Sequence, residues 1–343
     1  MVEYVGLDVS LKETSVCVVE ASGEIVFEGR VTSDPDAIAA VIGEKAPSVA
    51  RIGLETGPTS TWLWTELHGR GLPVVCLDAR HAKAALKIQI NKTDRNDAAG
   101  LAQIMRTGWY KEVRVKSLDS HTIRALLNGR ALLVKVKRDL ENQIRGLLKN
   151  QGLVIGKGHG GVFTSRTEEL IADRAALGEV ARPLLAARAE VCRQIARLSK
   201  RVLALARENE HCRRFMSVPG VGPITALAFY EAIEDPRRFR RSRSVGAYFG
   251  LTPRRYQSGE VDRAGRISKC GDRLMRTLLF EAAGVLLTRV LKWCALKAWG
   301  LRLARKTSFN KAKVAVARKL AVMLHRMWCD ETVFQWSTKE ATA

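Results

Sequence analysis

The first 77 residues alternate between short strand-like segments and amphipathic segments in an order that few folds accommodate. β-Branched residues concentrate in three consecutive segments, and Ser22-Gly23 supplies a turn between the second and the third. Two more strand patterns then alternate with helical patterns. The predicted strands are 3–9, 14–20, 24–31, 51–54 and 73–77, and the predicted helices are 35–45, 59–70 and 80–87. Three strands followed by alternating helices and strands indicate an α/β unit.

This order of elements matches the ribonuclease H type of fold, a mixed sheet flanked by helices. The actin and sugar-kinase fold is the alternative, because its first strand also ends in a Gly-x-Asp pattern. That fold requires a second copy of the strand pattern in the later half of the chain, and the sequence contains none.

Four acidic residues fall at strand ends or within one helical turn. Asp8 lies in the first predicted strand, Glu55 ends the fourth, and Asp94 and Asp97 begin a helix. Asp94 and Asp97 share a helix face, so they repel each other unless a cation or proton lies between them. Carboxylates are the hard ligands that Mg²⁺ prefers, and bound Mg²⁺ would clamp a phosphate. Taken singly, Asp8 is better explained as the cap of a turn, and Asp94 and Asp97 as caps of a helix, but the set in this strand order favours a metal site.

The middle of the chain is predicted to be two long helices joined by a glycine-rich loop. Apolar residues recur at helical spacing in 118–150 and in 166–211, with a break expected near Pro183, and 152–162 is the loop. Such helices form an antiparallel hairpin that either spaces two domains or pairs with another subunit. The spacing does not separate these two roles.

The segment from 237 to 276 is strongly basic. It holds twelve Lys and Arg residues against three acids, a net of +9, in a chain whose formal net charge is +22 and whose pI is about 10.1. This excess indicates a polyanionic partner, DNA or RNA. A membrane surface is the alternative, but no stretch approaches the roughly 20 apolar residues of a membrane span.

A Pro-Gly-x-Gly-Pro turn precedes the basic segment. Gly220 and Gly222 permit backbone conformations closed to other residues, and Pro223 suits the first position of a helix. The free N–H groups at that helix start can hold a phosphate, as in helix-hairpin-helix modules. A connector between two packed helices is the alternative.

Ser258 is the candidate nucleophile within the basic segment. Gly259 follows it and allows the backbone to bend, while surrounding arginines could stabilise charge that develops when the hydroxyl attacks a phosphodiester. On spacing alone an ordinary loop serine is the better explanation. The predicted nucleic-acid contacts are Gly220, Gly222, Arg254, Arg255, Arg263, Arg266, Lys269 and Arg273.

The seven cysteines are scattered and form no Cys-x-x-Cys pair. They fit free thiols in a reducing cytosol better than disulfides or a zinc site.

Taken together, these motifs resemble the DEDD-type transposases of bacterial insertion sequences, a group of bridge-RNA-guided serine recombinases. The N-terminal resemblance is carried by GLDVS with Asp8, GLETGPTS with Glu55, and NKTDRNDA with Asp94 and Asp97. The C-terminal resemblance is carried by VPGVGPITA, VGAYFGLTPRRYQSG with Ser258, and GRISKCGDRLMR. The motifs follow the family's order over nearly the whole chain.

The resemblance implies three regions. Residues 1–115 are expected to be a RuvC-like domain that binds Mg²⁺ through the acidic tetrad Asp8, Glu55, Asp94 and Asp97. Residues 116–214 are expected to be a helical coiled-coil region. Residues 215–343 are expected to be a mostly helical transposase domain with a helix-hairpin-helix-like turn and the catalytic Ser258.

The resemblance also implies partners and a location. The serine would attack DNA and become covalently linked to it, and a structured guide RNA would pair with donor and target DNA. The tetrad and the serine would come from different protomers of a homodimer that assembles into a homotetramer in the bacterial cytoplasm, associated with the nucleoid.

Three other functions remain open on the sequence. They are a site-specific DNA invertase built on the same domains, a RuvC-like nuclease that uses metal-activated water, and a nucleic-acid-binding protein without chemistry.

Overall fold

The computed structural model describes residues 1–87 and 93–336, and the chain divides into two compact units, Met1–Leu118 and a second that begins at Asp119. Each unit has its own hydrophobic core. No helix in the described ranges is long and apolar enough to cross a membrane.

The first unit is a mixed five-stranded sheet with helices on both faces. Its strands are β1 (Glu3–Val9), β2 (Glu13–Glu20), β3 (Ile25–Thr32), β4 (Val49–Glu55) and β5 (Val74–Leu77), in the order β3-β2-β1-β4-β5. β1 pairs antiparallel with β2 and parallel with β4. The helices are α1 (Pro35–Lys45), α2 (Ser60–Gly69), α3 (Ala79–Leu86) and α4 (Asp94–Thr107). This confirms the predicted ribonuclease H-type fold.

The two-residue period of β1 separates the two faces of the sheet. Val5 and Leu7 point to one face and join a core that α1 and α2 complete through residues such as Ile38 and Leu63. Gly6 and Asp8 point to the opposite face, where α4 packs. The candidate acid of β1 therefore lies on the α4 side of the sheet.

Local capping explains where the helices of this unit begin. The carboxylate of Asp34 accepts hydrogen bonds from the backbone N–H groups of Asp36 and Ala37 and so caps the start of α1. The Thr93 hydroxyl accepts from Asn96 N–H at the start of α4. Asp94 and Asp97 then occupy the first turn of α4, where the helix dipole favours negative charge.

The second unit begins with the predicted helical hairpin. It consists of α5 (Leu118–Lys149), α6 (Gly161–Ile171) and α7 (Ala175–Glu208). Arg130 Nε donates to Ser199 Oγ at 2.8 Å, and Arg188 lies 2.8 Å from Glu141, so α5 and α7 run antiparallel.

The rest of the second unit is mostly helical, as expected. Its helices are α8 (Glu210–Met216), α9 (Pro223–Ile233), α10 (Arg243–Tyr248), α11 (Arg273–Thr288), α12 (Ala295–Lys306) and α13 (Phe309–Cys329). Between α10 and α11 the chain forms a two-stranded antiparallel sheet, which consists of β6 (Pro253–Ser258) and β7 (Val261–Ile267).

Two local predictions were wrong. α7 continues through Pro183, because the proline ring is exposed and the buried residues Ala181, Leu185 and Arg188 hold the helix on either side of it. The interruption falls instead at 172–174, between α6 and α7. The arginine-rich stretch around Ser258 is a β-hairpin rather than a loop.

The predicted division at 115/116 lies three residues from the observed one at 118/119. No division occurs at 214/215. Leu127 of α5 and Val202 and Ala206 of α7 pack into the same core as Phe215 and Phe229, so the base of the helical hairpin and the C-terminal helices form one unit.

Candidate functional site

Two glycines on neighbouring strands let α4 lie directly on the sheet. Gly6 and Gly53 are paired in the register of β1 and β4. A Cβ on Gly6 would lie 2.1 Å from Ala98 O, and one on Gly53 would lie 2.7 Å from Met105 Cγ. Any side chain at Gly6 would therefore push α4 away from the sheet.

The direction of α4 brings its acidic first turn to the carboxyl ends of the strands. At its other end, Gln103 Nε2 donates to Gly23 O in the β2–β3 turn, and Gly108 approaches Arg51 near the start of β4. The N-terminal turn with Asp94 and Asp97 must then point toward the ends of β1 and β4.

Asp8 and Glu55 lie at that same end and on that same face. Each follows its glycine by two residues, and the two-residue period of a strand keeps it on the α4 side. Asp8, Glu55 and Asp97 are half-buried and Asp94 is exposed. The fold thus places all four predicted acids on one face at one end of the sheet.

The acids have the right chemistry for a metal but are not gathered into a ready site. Four carboxylates are a hard oxygen donor set that suits a divalent cation such as Mg²⁺. Within the described residues, however, no group of three or more His, Cys, Asp and Glu side chains is close enough to hold a metal ion. Residues 91 and 92 of the NKTDRNDA motif lie outside the described residues.

Cys17 faces α4 beside Gly6. Burial, with a smaller contribution from Glu28, raises the pKa of the Cys17 thiol to about 12, so the thiol is protonated at neutral pH.

Ser258 lies at the tip of the β6–β7 hairpin. It pairs with Val261 across a two-residue loop, and every residue of β6 is exposed. Gly259 occupies the first loop position with φ of 54°, the position where a type II′ turn requires glycine. The hydroxyl is thus carried on a defined turn that is open to a large partner.

The two faces of the hairpin differ in charge. Tyr256 lies two residues before Ser258 on β6 and therefore shares its face, and Arg263 lies on that face because it pairs with Tyr256 across the hairpin. Arg255 lies on the opposite face, where its guanidinium donates to Asp262 and holds the pKa of that carboxyl below its usual range. Arg263 is therefore the arginine best placed to act with Ser258.

Sequence reasoning missed Tyr256. Its side chain is 58% exposed, and its ring lies over Gly265, whose Cβ would be 2.9 Å from Tyr256 Cε2. Its position two residues before Ser258 could have indicated a role, because in a strand these two side chains lie on the same face. The sequence did not predict a strand here, so the relationship was not recognised.

The root of the hairpin is tightly clamped. A Cβ on Gly271 would lie 2.1 Å from Tyr248 O, so the chain segments before and after the hairpin cross in close contact. Arg276 Nη1 donates to the carbonyls of Phe249, Cys270 and Gly271 at 3.1, 2.7 and 3.3 Å. Arg276, one of the twelve basic residues of the segment, thus serves the protein's own backbone.

The basic residues predicted to contact nucleic acid all have exposed side chains, and Arg255 is the one that pairs with Asp262. They are Arg254, Arg255, Arg263, Arg266, Lys269 and Arg273. Within the Pro-Gly-x-Gly-Pro turn the two glycines differ. Gly220 has φ of 92° and packs against α11, where its Cβ would lie 2.5 Å from Ala282 O, whereas Gly222 opens onto free space at the start of α9. Packing explains Gly220, and at Gly222 the phosphate contact remains a prediction.

His325 of α13 is a structural residue. Its Nε2–H donates to Pro236 O at 2.9 Å, and its Nδ1 accepts from the Ser242 hydroxyl at 3.0 Å. Burial lowers the pKa of His325, so the ring is neutral at pH 7. It fastens the arginine-rich segment between residues 236 and 242 to α13.

A ribonuclease H-type sheet with acids at one end, followed by a strongly basic helical unit, is the arrangement of a protein that acts on nucleic-acid phosphates. Comparison with known families agrees. A profile of DEDD-type IS110 transposases matches residues 5–151, and a profile of the transposase IS116/IS110/IS902 family matches residues 212–298.

Individual relatives cover most of the chain. The transposase for insertion sequence element IS1111A of Coxiella burnetii is 30% identical over 94% of this chain and 88% of its own length. A Pseudomonas aeruginosa protein described as a probable family 20 transposase is 31% identical over 71% of this chain and 74% of its own. The transposase for insertion sequence element IS1328 of Yersinia enterocolitica is 26% identical over 72% of this chain and 75% of its own length.

The chain belongs to the IS110/IS116 family of insertion-sequence transposases. It is accordingly an enzyme that cuts and rejoins DNA, and its DEDD-type domain indicates the use of a divalent metal.

Proposed function

We propose that this transposase cuts and rejoins DNA through Ser258, assisted by Mg²⁺ held by Asp8, Glu55, Asp94 and Asp97. The observation that carries the proposal is the position of Ser258, at the exposed tip of a glycine-turned hairpin and on the same face as Arg263. A nucleophile for a duplex must protrude, and a neighbouring guanidinium must meet the charge that develops on the phosphate.

The proposed reaction is a transesterification. Ser258 Oγ forms a bond to phosphorus as one P–O ester bond of the DNA strand breaks, and the leaving nucleotide oxygen takes up a proton to become a free hydroxyl. A DNA hydroxyl reverses the step by attacking the phosphoserine, which restores Ser258. When bound, Mg²⁺ neutralises phosphate charge and lowers the barrier to attack. The number of ester bonds is conserved, so no energy source is required.

We further propose that the active site is shared between protomers. Ser258 and the acidic tetrad belong to different units of the chain, and the helical hairpin presents apolar side chains to solvent, including Leu132 at 59% and Val134 at 41% exposure. Such side chains on a long helix suit pairing with another copy, which supports the expected dimer and tetramer. Mixing a Ser258→Ala protein with a Glu55→Gln protein should then restore activity that neither has alone, whereas no recovery would argue against a shared site.

A structured RNA encoded at the element's non-coding end is proposed as the guide that pairs with donor and target DNA. This part of the proposal rests on family resemblance, and the net charge of +22 supports a second polyanionic partner beside DNA.

The decisive activity test is Ser258→Ala against Ser244→Ala, an exposed serine of α10. Ser258→Ala should abolish strand cleavage and leave DNA binding near normal, and Ser244→Ala should change neither. A Ser258→Ala protein that still cuts DNA in the presence of Mg²⁺ would favour a nuclease that uses metal-activated water.

A further inference from the structure

A long apolar groove lies between α13 and the root of the hairpin. It has a volume of about 810 Å³. Val314, Val322 and Met323 of α13 form its floor, and Pro253 and Ile267, the first residue of β6 and the last of β7, form one end. It is large enough for more than one flat group the size of a nucleobase.

The rim of this groove is entirely cationic. It carries Arg243, Lys311, Arg318, Lys319 and Arg326, all of them exposed, and no acidic residue occurs among the described residues that line the groove. Arg326 also pairs with Asp330, and Lys319 Nζ lies 3.7 Å from the ring centroid of Trp299. An occupant must therefore offer apolar surface to the floor and repeated negative charge to the rim.

We propose that this groove holds unstacked nucleotides of a single-stranded nucleic-acid segment. A base pair inside a duplex hides the faces of its bases, whereas a single strand presents base faces and phosphates together. The groove is also continuous with the arginine-bearing hairpin, so one strand could run from one to the other. An acidic peptide would need its carboxylates matched to five rim cations, and nothing on this surface favours that spacing.

The hairpin relates the groove to the proposed chemistry. Five residue steps separate Pro253 from Ser258, which is roughly 17 Å along a strand. Stacking sets the shortest advance of a strand, about 3.4 Å per nucleotide, and an unstacked strand advances further, so the bases held in the groove lie at most about five positions from the phosphate at Ser258. This inference rests on the proposed nucleic-acid substrate but not on Ser258 as the nucleophile.

The test fills the groove and measures binding without cleavage. Ala315, half-buried in the groove wall, is replaced by Trp, and the exposed Ala247 of α10, which does not line the groove, is replaced by Trp as the matched control. Binding of the full chain to a fluorescein-labelled single-stranded thymidine 12-mer and to a 12-base-pair duplex is followed by anisotropy. Ala315→Trp should weaken single-strand binding about tenfold and leave duplex binding within about twofold. Ala247→Trp should change neither.

Met323→Gln, which keeps the side-chain size, guards against misfolding of the larger substitution and should weaken single-strand binding in the same direction. Unchanged single-strand binding in both groove variants, or an equal loss for single strand and duplex, would overturn the inference. A third result would also overturn it: an amphipathic Glu/Leu peptide that binds the protein more tightly than the single strand does, and whose binding is lost in Ala315→Trp but not in Ala247→Trp. Because the readout is binding, failure of Ser258 as a nucleophile leaves the result interpretable.

Discussion

Arg263 lies directly opposite Tyr256 in the β6–β7 register, and both share the hairpin face that carries Ser258. Arg255 lies on the other face, engaged by Asp262. Arginines that look equivalent in sequence are therefore separated by strand geometry into one beside the proposed nucleophile and one turned away from it.

Replacing these two arginines should have unequal effects. Arg263→Gln removes a donor placed to meet charge on the attacked phosphate and should slow Ser258–DNA adduct formation by about 10²-fold. Arg255→Gln removes only an exposed ion pair and should change the rate by less than about fivefold. The rates are measured on denaturing gels under single-turnover conditions. Equal losses in the two variants would show that the face assignment has no bearing on catalysis.

The turn next to Ser258 should matter for activity and little for stability. Gly259→Ala places a side chain at φ of 54° with no atom within 4 Å of its Cβ, so the cost is backbone strain of about 1 kcal/mol. We expect cleavage to fall several-fold while the unfolding temperature stays near the wild-type value. Gly161→Ala, also open but without a positive φ, is the control and should leave cleavage unchanged. Cleavage that is equally insensitive at both sites would mean that the turn geometry is unimportant.

The fold of the first unit was readable from its sequence because its strands alternate or concentrate apolar residues and its helices have caps such as Asp34. The hairpin was not readable, since β6 is exposed along its whole length and has no buried face to create a pattern. The helix break predicted near Pro183 was wrong because a helix can tolerate a proline on its exposed face. The placement of all four acids at one end of the sheet depends on α4 crossing Gly6 and Gly53, a tertiary contact that spacing does not reveal.

Mg²⁺ should stabilise the first unit through the tetrad. An ion that binds only the folded state, at about one hundred times its dissociation constant, adds about 2.7 kcal/mol to the free energy of unfolding. The unfolding temperature should therefore rise with Mg²⁺ in the wild type and in Glu44→Gln, an exposed control, but not in Asp8→Asn or Glu55→Gln. If Mg²⁺ stabilises the Asp8 and Glu55 variants as much as the wild type, these two acids are not ligands of the metal.

A buried ion network holds α5 onto the C-terminal core. Arg124 of α5 pairs with Asp272, the N-cap of α11, and lies 3.2 Å from Glu231 of α9, which is 2% exposed. Arg124→Met leaves the carboxylates of Glu231 and Asp272, 2% and 12% exposed, without this partner. It should lower the free energy of unfolding by about 3 kcal/mol, the lower end of the usual range because Arg124 is 32% exposed. Arg130→Met, which removes only a hydrogen bond to Ser199, should cost about 1 kcal/mol in the same denaturant titration. Equal costs would contradict the network.

The same network predicts a dependence of stability on pH. Burial alone would raise the pKa of Asp272, but hydrogen bonds from Arg124 and from Met275 N–H lower it below the ordinary value. A carboxyl with a depressed folded-state pKa stabilises the protein above its unfolded pKa of about 3.9, and this contribution is lost as the pH falls further. The free energy of unfolding, measured by denaturant titration at a series of acid pH values, should therefore fall less in Asp272→Asn than in the wild type as the pH is lowered. An identical fall in the two proteins would contradict the role of Asp272 in the network.

The most direct test of the central claim is the site of covalent attachment to DNA. The reaction is assembled with the full-length protein, Mg²⁺, donor and target DNA and the element's non-coding RNA, then trapped by denaturation and digested with protease and nuclease. Mass spectrometry should find the nucleotide remnant on Ser258, and the Ser258→Ala protein should yield none while still binding DNA. An adduct on another residue, or recombination that persists in Ser258→Ala, would contradict the account.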